Sequence, residues 1–166
     1  WLILAGRGWG KTRTGAQDIA FYGLTRPNSR IAIVAPTHRD GRDTCIEGIS
    51  GLLSCFDREL IENWNRSIGE LTLKNGTIYR TFSAEQPDRL RGPQFHRAWC
   101  DELGAWKNDE AWDQLLFGLR LGENPQIVVT TTPKPTDIIK ELVNSKDSLV
   151  TRGSTFENKD NLAESA

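Results

Sequence analysis

Apolar and polar positions fall into short blocks that switch between a strand-like and a helical period. Trp1 to Leu4 is an apolar run suited to a short buried strand, and it breaks into the turn Gly6-Arg7-Gly8-Trp9-Gly10. Ala16, Ile19, Ala20 and Leu24 follow at helical spacing, so Thr12 to Tyr22 reads as a helix ended by Pro27 and Asn28. Arg30 to Ala35 (RIAIVA) is a second continuous strand closed by Pro36, and strand, helix, strand implies a right-handed parallel crossover. Ile46, Ile49, Leu52, Leu53 and Phe56 have the spacing of another apolar helix face. Glu70 to Thr72 and Thr77 to Phe82 alternate on either side of Lys74-Asn75-Gly76, which predicts a hairpin. An apolar strand ending at Asp101-Glu102, the strand Gln126 to Thr131 (QIVVTT), a helix carrying Ile138, Ile139, Leu142 and Val143, and a last strand at Leu149 to Thr151 complete the pattern, before a polar tail. The fold class is therefore α/β, with a mostly parallel central sheet between helical layers.

Composition narrows this picture little, and its distribution matters more than its totals. The 166 residues suffice for one compact domain, and 21 Lys plus Arg against 22 Asp plus Glu leave no case for a protein that coats DNA by net charge alone. Basic residues lead up to Arg97 and acidic ones follow Cys100, so one face can be positive while the total stays near zero. Cys45, Cys55 and Cys100 are odd in number and lack C-x-x-C spacing, which argues against a disulfide framework or a zinc site and fits a reducing interior. No run approaches transmembrane length. A chain without Met that starts inside a strand reads as part of a longer reading frame.

The chemistry concentrates where strands end. Residues 5–12, Ala5-Gly6-Arg7-Gly8-Trp9-Gly10-Lys11-Thr12, match the phosphate-binding pattern G-x-x-x-x-G-K-[ST] with Ala5 in place of the first glycine. In such a loop the backbone N–H groups and the helix N-terminus face an anion, Lys11 reaches the β/γ oxygens and the Thr12 hydroxyl ligates Mg²⁺. Asp101-Glu102 supplies two carboxylates with different jobs, because strand neighbours point to opposite faces. In a P-loop enzyme Asp101 holds Mg²⁺ through its water shell and Glu102 polarises the attacking water; the plainer reading is a cap on a helix beginning near Ala105. Thr130, Thr131 and Thr132 form a row of hydroxyls able to sense a γ-phosphate or to satisfy a turn. Arg89 and Arg91, ahead of Gly92-Pro93, can meet phosphates or a neighbouring subunit, or be surface charges. Thr37, His38, Arg39 and Arg42 stand at a strand's carboxyl end, where ligands bind in open sheets; for His38 and Arg42 a polar helix entrance is the better reading beside Asp40, Gly41 and Asp43.

Together LAGRGWGKTRTGA, SAEQPDRLRGPQFHRAWCDELGAW and VVTTTPKP resemble the ATPase domain of the large terminase subunits of tailed bacteriophages. The resemblance implies a RecA-like P-loop NTPase of the additional-strand, catalytic-glutamate type. It implies ATP and Mg²⁺ as cofactors, with the nucleotide held by the loop from Ala5 to Arg13, Thr12 and Asp101 at the metal, and Glu102 as catalytic base. Arg7 becomes a loop arginine on phosphate, Arg91 a finger reaching an adjacent subunit's ATP, and Thr130 to Thr132 the element coupling hydrolysis to movement. The implied assembly is a ring on the capsid portal, in the cytoplasm of an infected bacterium, pumping double-stranded DNA with portal protein and small terminase subunit as partners. Isolated, the chain is expected to be monomeric, without the adenine-clamping segment expected before Trp1 and the nuclease domain expected after Ala166. A helicase-like translocase and a nucleotide-gated binding module are the alternatives.

Overall fold

The computed structural model describes residues 1–153; the polar tail lies outside the described residues. Among the described residues eight strands form one sheet: β1 (Leu2–Ala5), β2 (Arg30–Ala35), β3 (Ile61–Asn65), β4 (Glu70–Leu73), β5 (Ile78–Ser83), β6 (Arg97–Asp101), β7 (Gln126–Thr131) and β8 (Val150–Gly153). Their spatial order is β3-β4-β5-β2-β6-β7-β1-β8, with β5, β2, β6, β7, β1 and β8 parallel and β4 and β3 antiparallel at one edge. The helices are α1 (Lys11–Thr25), the short α2 (His38–Asp40), α3 (Glu110–Gly118) and α4 (Asp137–Asn144).

Alternation along the strands sends residues into two cores, one on each face of the sheet. Leu2, Leu4, Val34, Ala98, Cys100 and Val129 pack with Leu115 of α3 and Ile138 and Ile139 of α4. Ile3, Ala5, Ile33, Trp99 and Val128 pack with Ala16, Ile19 and Ala20 of α1. The result is the expected three-layer sandwich, with both faces of the parallel strands covered.

The hairpin forms as expected, with Gly76 at φ 89 and Leu73 N–H donating to Thr77 O at 2.9 Å. Asn75 pins this turn to the end of α1 by donating to Gly23 O at 2.9 Å. One expectation fails. The apolar positions from Ile46 to Phe56 do not form one helix: α2 runs into a π turn over Gly41–Ile46, the chain bends, and a 3₁₀ turn covers Leu52–Cys55. Gly48 and Gly51 interrupt the repeat, so Ile46, Leu52 and Phe56 are buried while Ile49 stands 96% exposed. Strand β3 also carries no clear apolar alternation, with only Ile61 and Trp64 partly inward, and it forms by pairing with β4 at the sheet edge.

Candidate functional site

The loop after β1 turns back over the carboxyl edge of the sheet. Gly8 (φ 79) and Gly10 (φ 99) take the left-handed backbone that the turn needs, whereas Gly6 does not. Gly10 caps α1, whose first residues are Lys11 and Thr12, so the unpaired N–H groups of a 15-residue helix open onto the loop. Ala5 is fully buried on β1 beside Gly153, which explains why a methyl is accepted where the motif has glycine. Trp9 packs its indole on the Gly153 backbone, tying the loop to β8.

Lys11 and Glu102 meet at this edge. Lys11 Nζ lies 3.4 Å from Glu102 Oε1, with the side chains only 10% and 29% exposed. Glu102 Oε2 accepts from Thr132 Oγ1 at 3.2 Å and Thr132 N–H at 3.4 Å. Asp101 and Glu102 are not neighbours on one strand, contrary to the expectation from the sequence. β6 ends at Asp101, and Glu102 has left-handed backbone (φ 50, ψ 49), so its departure from the strand separates the two carboxylates. Left-handed backbone at a non-glycine residue costs roughly 1 to 3 kcal/mol and tends to mark functional sites.

Asp101 sits beneath them, 4% exposed. Its Oδ1 accepts from Thr130 Oγ1 at 2.9 Å and its Oδ2 from the Cys45 thiol at 3.6 Å. Its pKa is raised from 3.8 to about 6, by burial first and by the Glu102 charge as well, while the Thr130 and Cys45 bonds and the Lys11 ammonium pull the other way. Burial likewise raises the Cys45 thiol, which keeps it protonated and a donor. Thr131 accepts from Gly104 N–H at 3.1 Å, so the three threonines serve the carboxylates and the turn after β6. Glu102 begins a 3₁₀ turn over Leu103–Ala105, and the next helix starts only at Glu110.

A cavity of about 640 Å³ lies against the loop, with Gly8, Gly10, Lys11, Thr12 and Arg13 on one wall. The opposite wall is Asp43, Thr44, Gly48, Ile49 and Ser50, the segment whose apolar spacing predicts helix. The glycines at 48 and 51 were the available signal that this segment is a wall and not a helix. Arg13 donates to Ser54 Oγ at 2.8 Å, and Arg66 donates to Glu47 at 3.0 Å, so the wall is tied down in its middle and just beyond Ser50. Thr12 and Asp101 offer oxygen donors of the kind Mg²⁺ takes alongside phosphate oxygens and water. Among the described residues no cluster of three or more His, Cys, Asp or Glu could hold a metal ion. A second cavity, of about 630 Å³, at the opposite end of the sheet beside Trp1, Trp112 and Leu149, holds no part of the glycine-rich loop.

The structure does not bring every candidate together. Arg91 is an exposed side chain ahead of β6, 3.6 Å from Asp88. His38 and Arg42 belong to the polar entrance of α2 and its π turn, His38 bonding Gln86 at 2.8 Å and Arg42 bonding Asp43 at 2.8 Å, while Thr37 caps α2 by accepting from Asp40 N–H. Arg39 pairs with Asp43 at 3.4 Å. Arg7 is exposed on the loop.

Residues 2–148 match the sequence profile of the terminase large subunit, T4likevirus-type, N-terminal. The chain belongs to this family. Terminase structures share its fold. The ATPase domain of the Thermus phage P74-26 large terminase superposes with a TM-score of 0.73 at 16% identity, over 96% of this chain and 77% of that one. The large terminase of a thermophilic bacteriophage gives 0.77 at 14% identity over 99% of this chain, which spans only 42% of that protein. The large terminase of bacteriophage HK97 gives 0.71 at 21% identity, with 92% of this chain and 34% of that one covered. The thermophilic phage protein has also been solved with ADP and with ATP-gamma-S. At these identities the likeness establishes the fold alone, the RecA-like P-loop fold of those terminase domains. No curated protein sequence matches the chain. No described helix is long and apolar enough to cross a membrane.

Proposed function

We propose that the chain is the ATP-hydrolysing motor domain of a large terminase, driving double-stranded DNA into a procapsid. The observation that carries this reading is the Lys11–Glu102 juxtaposition, which sets a phosphate-seeking cation beside a carboxylate clamped by Thr132. The complexes of the thermophilic phage terminase with ADP and ATP-gamma-S support a nucleotide as the ligand.

In this reading the backbone of Gly6 to Gly10 and the α1 N-terminus cradle the β-phosphate, and Lys11 neutralises the β/γ oxygens. Ala5 sets the start of the loop, and Arg7, Trp9 and Arg13 border the nucleotide. Thr12 and Asp101 would hold Mg²⁺, which would shield charge on the phosphates. Glu102 takes the proton of the attacking water, and Thr132 keeps its carboxylate aimed there. Thr130 to Thr132 join both carboxylates to β7, a route by which a change at the γ-phosphate reaches the rest of the motor. Arg91 lies outside its own chain's cluster, which supports service to a neighbouring subunit in a ring. Portal protein and the small terminase subunit are the proposed partners, in the cytoplasm of the infected cell at the procapsid portal.

A binding module without turnover has no use for a positioned carboxylate such as Glu102, and the family match favours a terminase over a helicase. Measuring ATP turnover of the full-length protein with and without double-stranded DNA tests the proposal. Turnover that rises with DNA is expected; no turnover in either condition would overturn it.

A further inference from the structure

We infer that Trp99 is a positioning residue for Asp101, acting through the hydroxyl of Thr130. The inference rests on the reading of Asp101 as a metal-holding carboxylate and goes beyond it by assigning what fixes that carboxylate. Trp99 Nε1–H donates to Thr130 Oγ1 at 2.7 Å, and Thr130 Oγ1 donates to Asp101 Oδ1 at 2.9 Å. Trp99 and Thr130 are fully buried, and Thr130 is the register partner of Asp101 across β6 and β7.

The chemistry of the three groups gives the chain of bonds one direction. An indole N–H can only donate, and a threonine hydroxyl has a single proton. Once Thr130 Oγ accepts from Trp99, its own proton is left for Asp101, and the hydroxyl cannot turn to present a lone pair to the carboxylate. A buried tryptophan needs only some acceptor, and a backbone carbonyl would serve the core equally well. Here the acceptor is a hydroxyl whose remaining proton lands on a buried, functional carboxylate.

Trp99 also touches the phosphate-binding helix. A Cβ built on Gly15 would overlap the indole ring, so the α1 backbone rests directly on Trp99 one turn after Lys11. Position 15 therefore accepts only glycine without moving the ring. The contact makes the indole a rigid spacer between the helix that opens onto the phosphate and the carboxylate beneath it.

Outer partners of metal ligands commonly alter metal affinity by about 10- to 100-fold when removed. The test is Mn²⁺ binding, followed by electron paramagnetic resonance, to full-length protein saturated with a non-hydrolysable ATP analogue. Trp99→Phe and Thr130→Val should each weaken Mn²⁺ by about tenfold or more, Thr130→Ser should stay near wild type, and the double variant should be no weaker than the weaker single one. Analogue affinity measured in EDTA should not change. Tyr79→Phe is the control, because it removes another buried bond, to Ile19 O at 2.8 Å, without touching Asp101; it should leave Mn²⁺ affinity within about twofold. If Trp99→Phe does not fold, benzothienylalanine at position 99 keeps the ring shape and deletes the N–H. Mn²⁺ affinity unchanged in Trp99→Phe or in that analogue, or additive losses in the double variant, would overturn the inference. Unchanged affinity in Asp101→Asn would instead overturn the metal-site reading on which it stands.

Discussion

Lys11 Nζ and Glu102 Oε1 stand 3.4 Å apart, pairing the cation of the β1–α1 loop with the carboxylate that follows β6. In the proposed function a phosphate drawn to Lys11 is placed beside Glu102, so that binding and water activation would share one ion pair. Two segments far apart in the chain meet here because β7 alone separates β1 from β6 in the sheet.

Lys11→Ala should weaken ATP binding by about 10- to 100-fold, since a hydrogen bond to a charged partner contributes about 1.5 to 3 kcal/mol. Calorimetric titration of the full-length variant with an ATP analogue checks this. Affinity equal to wild type would remove Lys11 from the phosphate site.

Asp101 gives a pH dependence with a definite sign. Its folded pKa, about 6, lies above the unfolded value of 3.8, so the folded chain holds the proton more tightly. The contribution of Asp101 to the stability of metal-free protein should therefore fall as pH rises from about 4 to about 6, by about 3 kcal/mol, and level off above. Asp101→Asn should erase that slope and melt higher than wild type at pH 7.5 in EDTA, at the expense of metal binding. Thermal melts of both proteins across that range decide it; a lower melting temperature for Asp101→Asn at pH 7.5 would contradict the account.

Much of the site was legible because its residues are consecutive. Gly10-Lys11-Thr12 opens the helix that follows β1, Asp101-Glu102 and Thr130 to Thr132 stand where β6 and β7 end, and a parallel sheet brings these positions to one edge. The far wall of the cavity was not legible, since Ile46, Ile49 and Leu52 keep helical spacing while Gly48 and Gly51 bend the chain and leave Ile49 outside. Strand β3 was missed because Ile61-Glu62-Asn63-Trp64-Asn65 lies at a half-exposed edge, where alternation carries little signal. Trp99 reads as ordinary core in an apolar strand, and only the register of β6 against β7 exposes its link to Asp101.

Arg91 should act between subunits. Arg91→Ala in the full-length protein is expected to keep ATP affinity and lose about 10³-fold or more of its turnover. Mixing it with Glu102→Gln protein should restore part of the activity, because an Arg91→Ala subunit keeps its carboxylate and its neighbour lends the guanidinium. Confirmed mixed assemblies with no rescue would return Arg91 to its own chain or to the surface.

The most direct test of the central claim is Glu102→Gln in the full-length protein, read by ATP binding and single-turnover hydrolysis together. Glutamine preserves the shape and can still accept from Thr132, but it cannot take a proton from water. ATP affinity should be retained or tightened, because Lys11 no longer shares its charge with a carboxylate, while hydrolysis falls by about 100-fold or more. Hydrolysis near the wild-type rate with binding intact would contradict the account, because the carboxylate beside Lys11 would then not be the group that activates water.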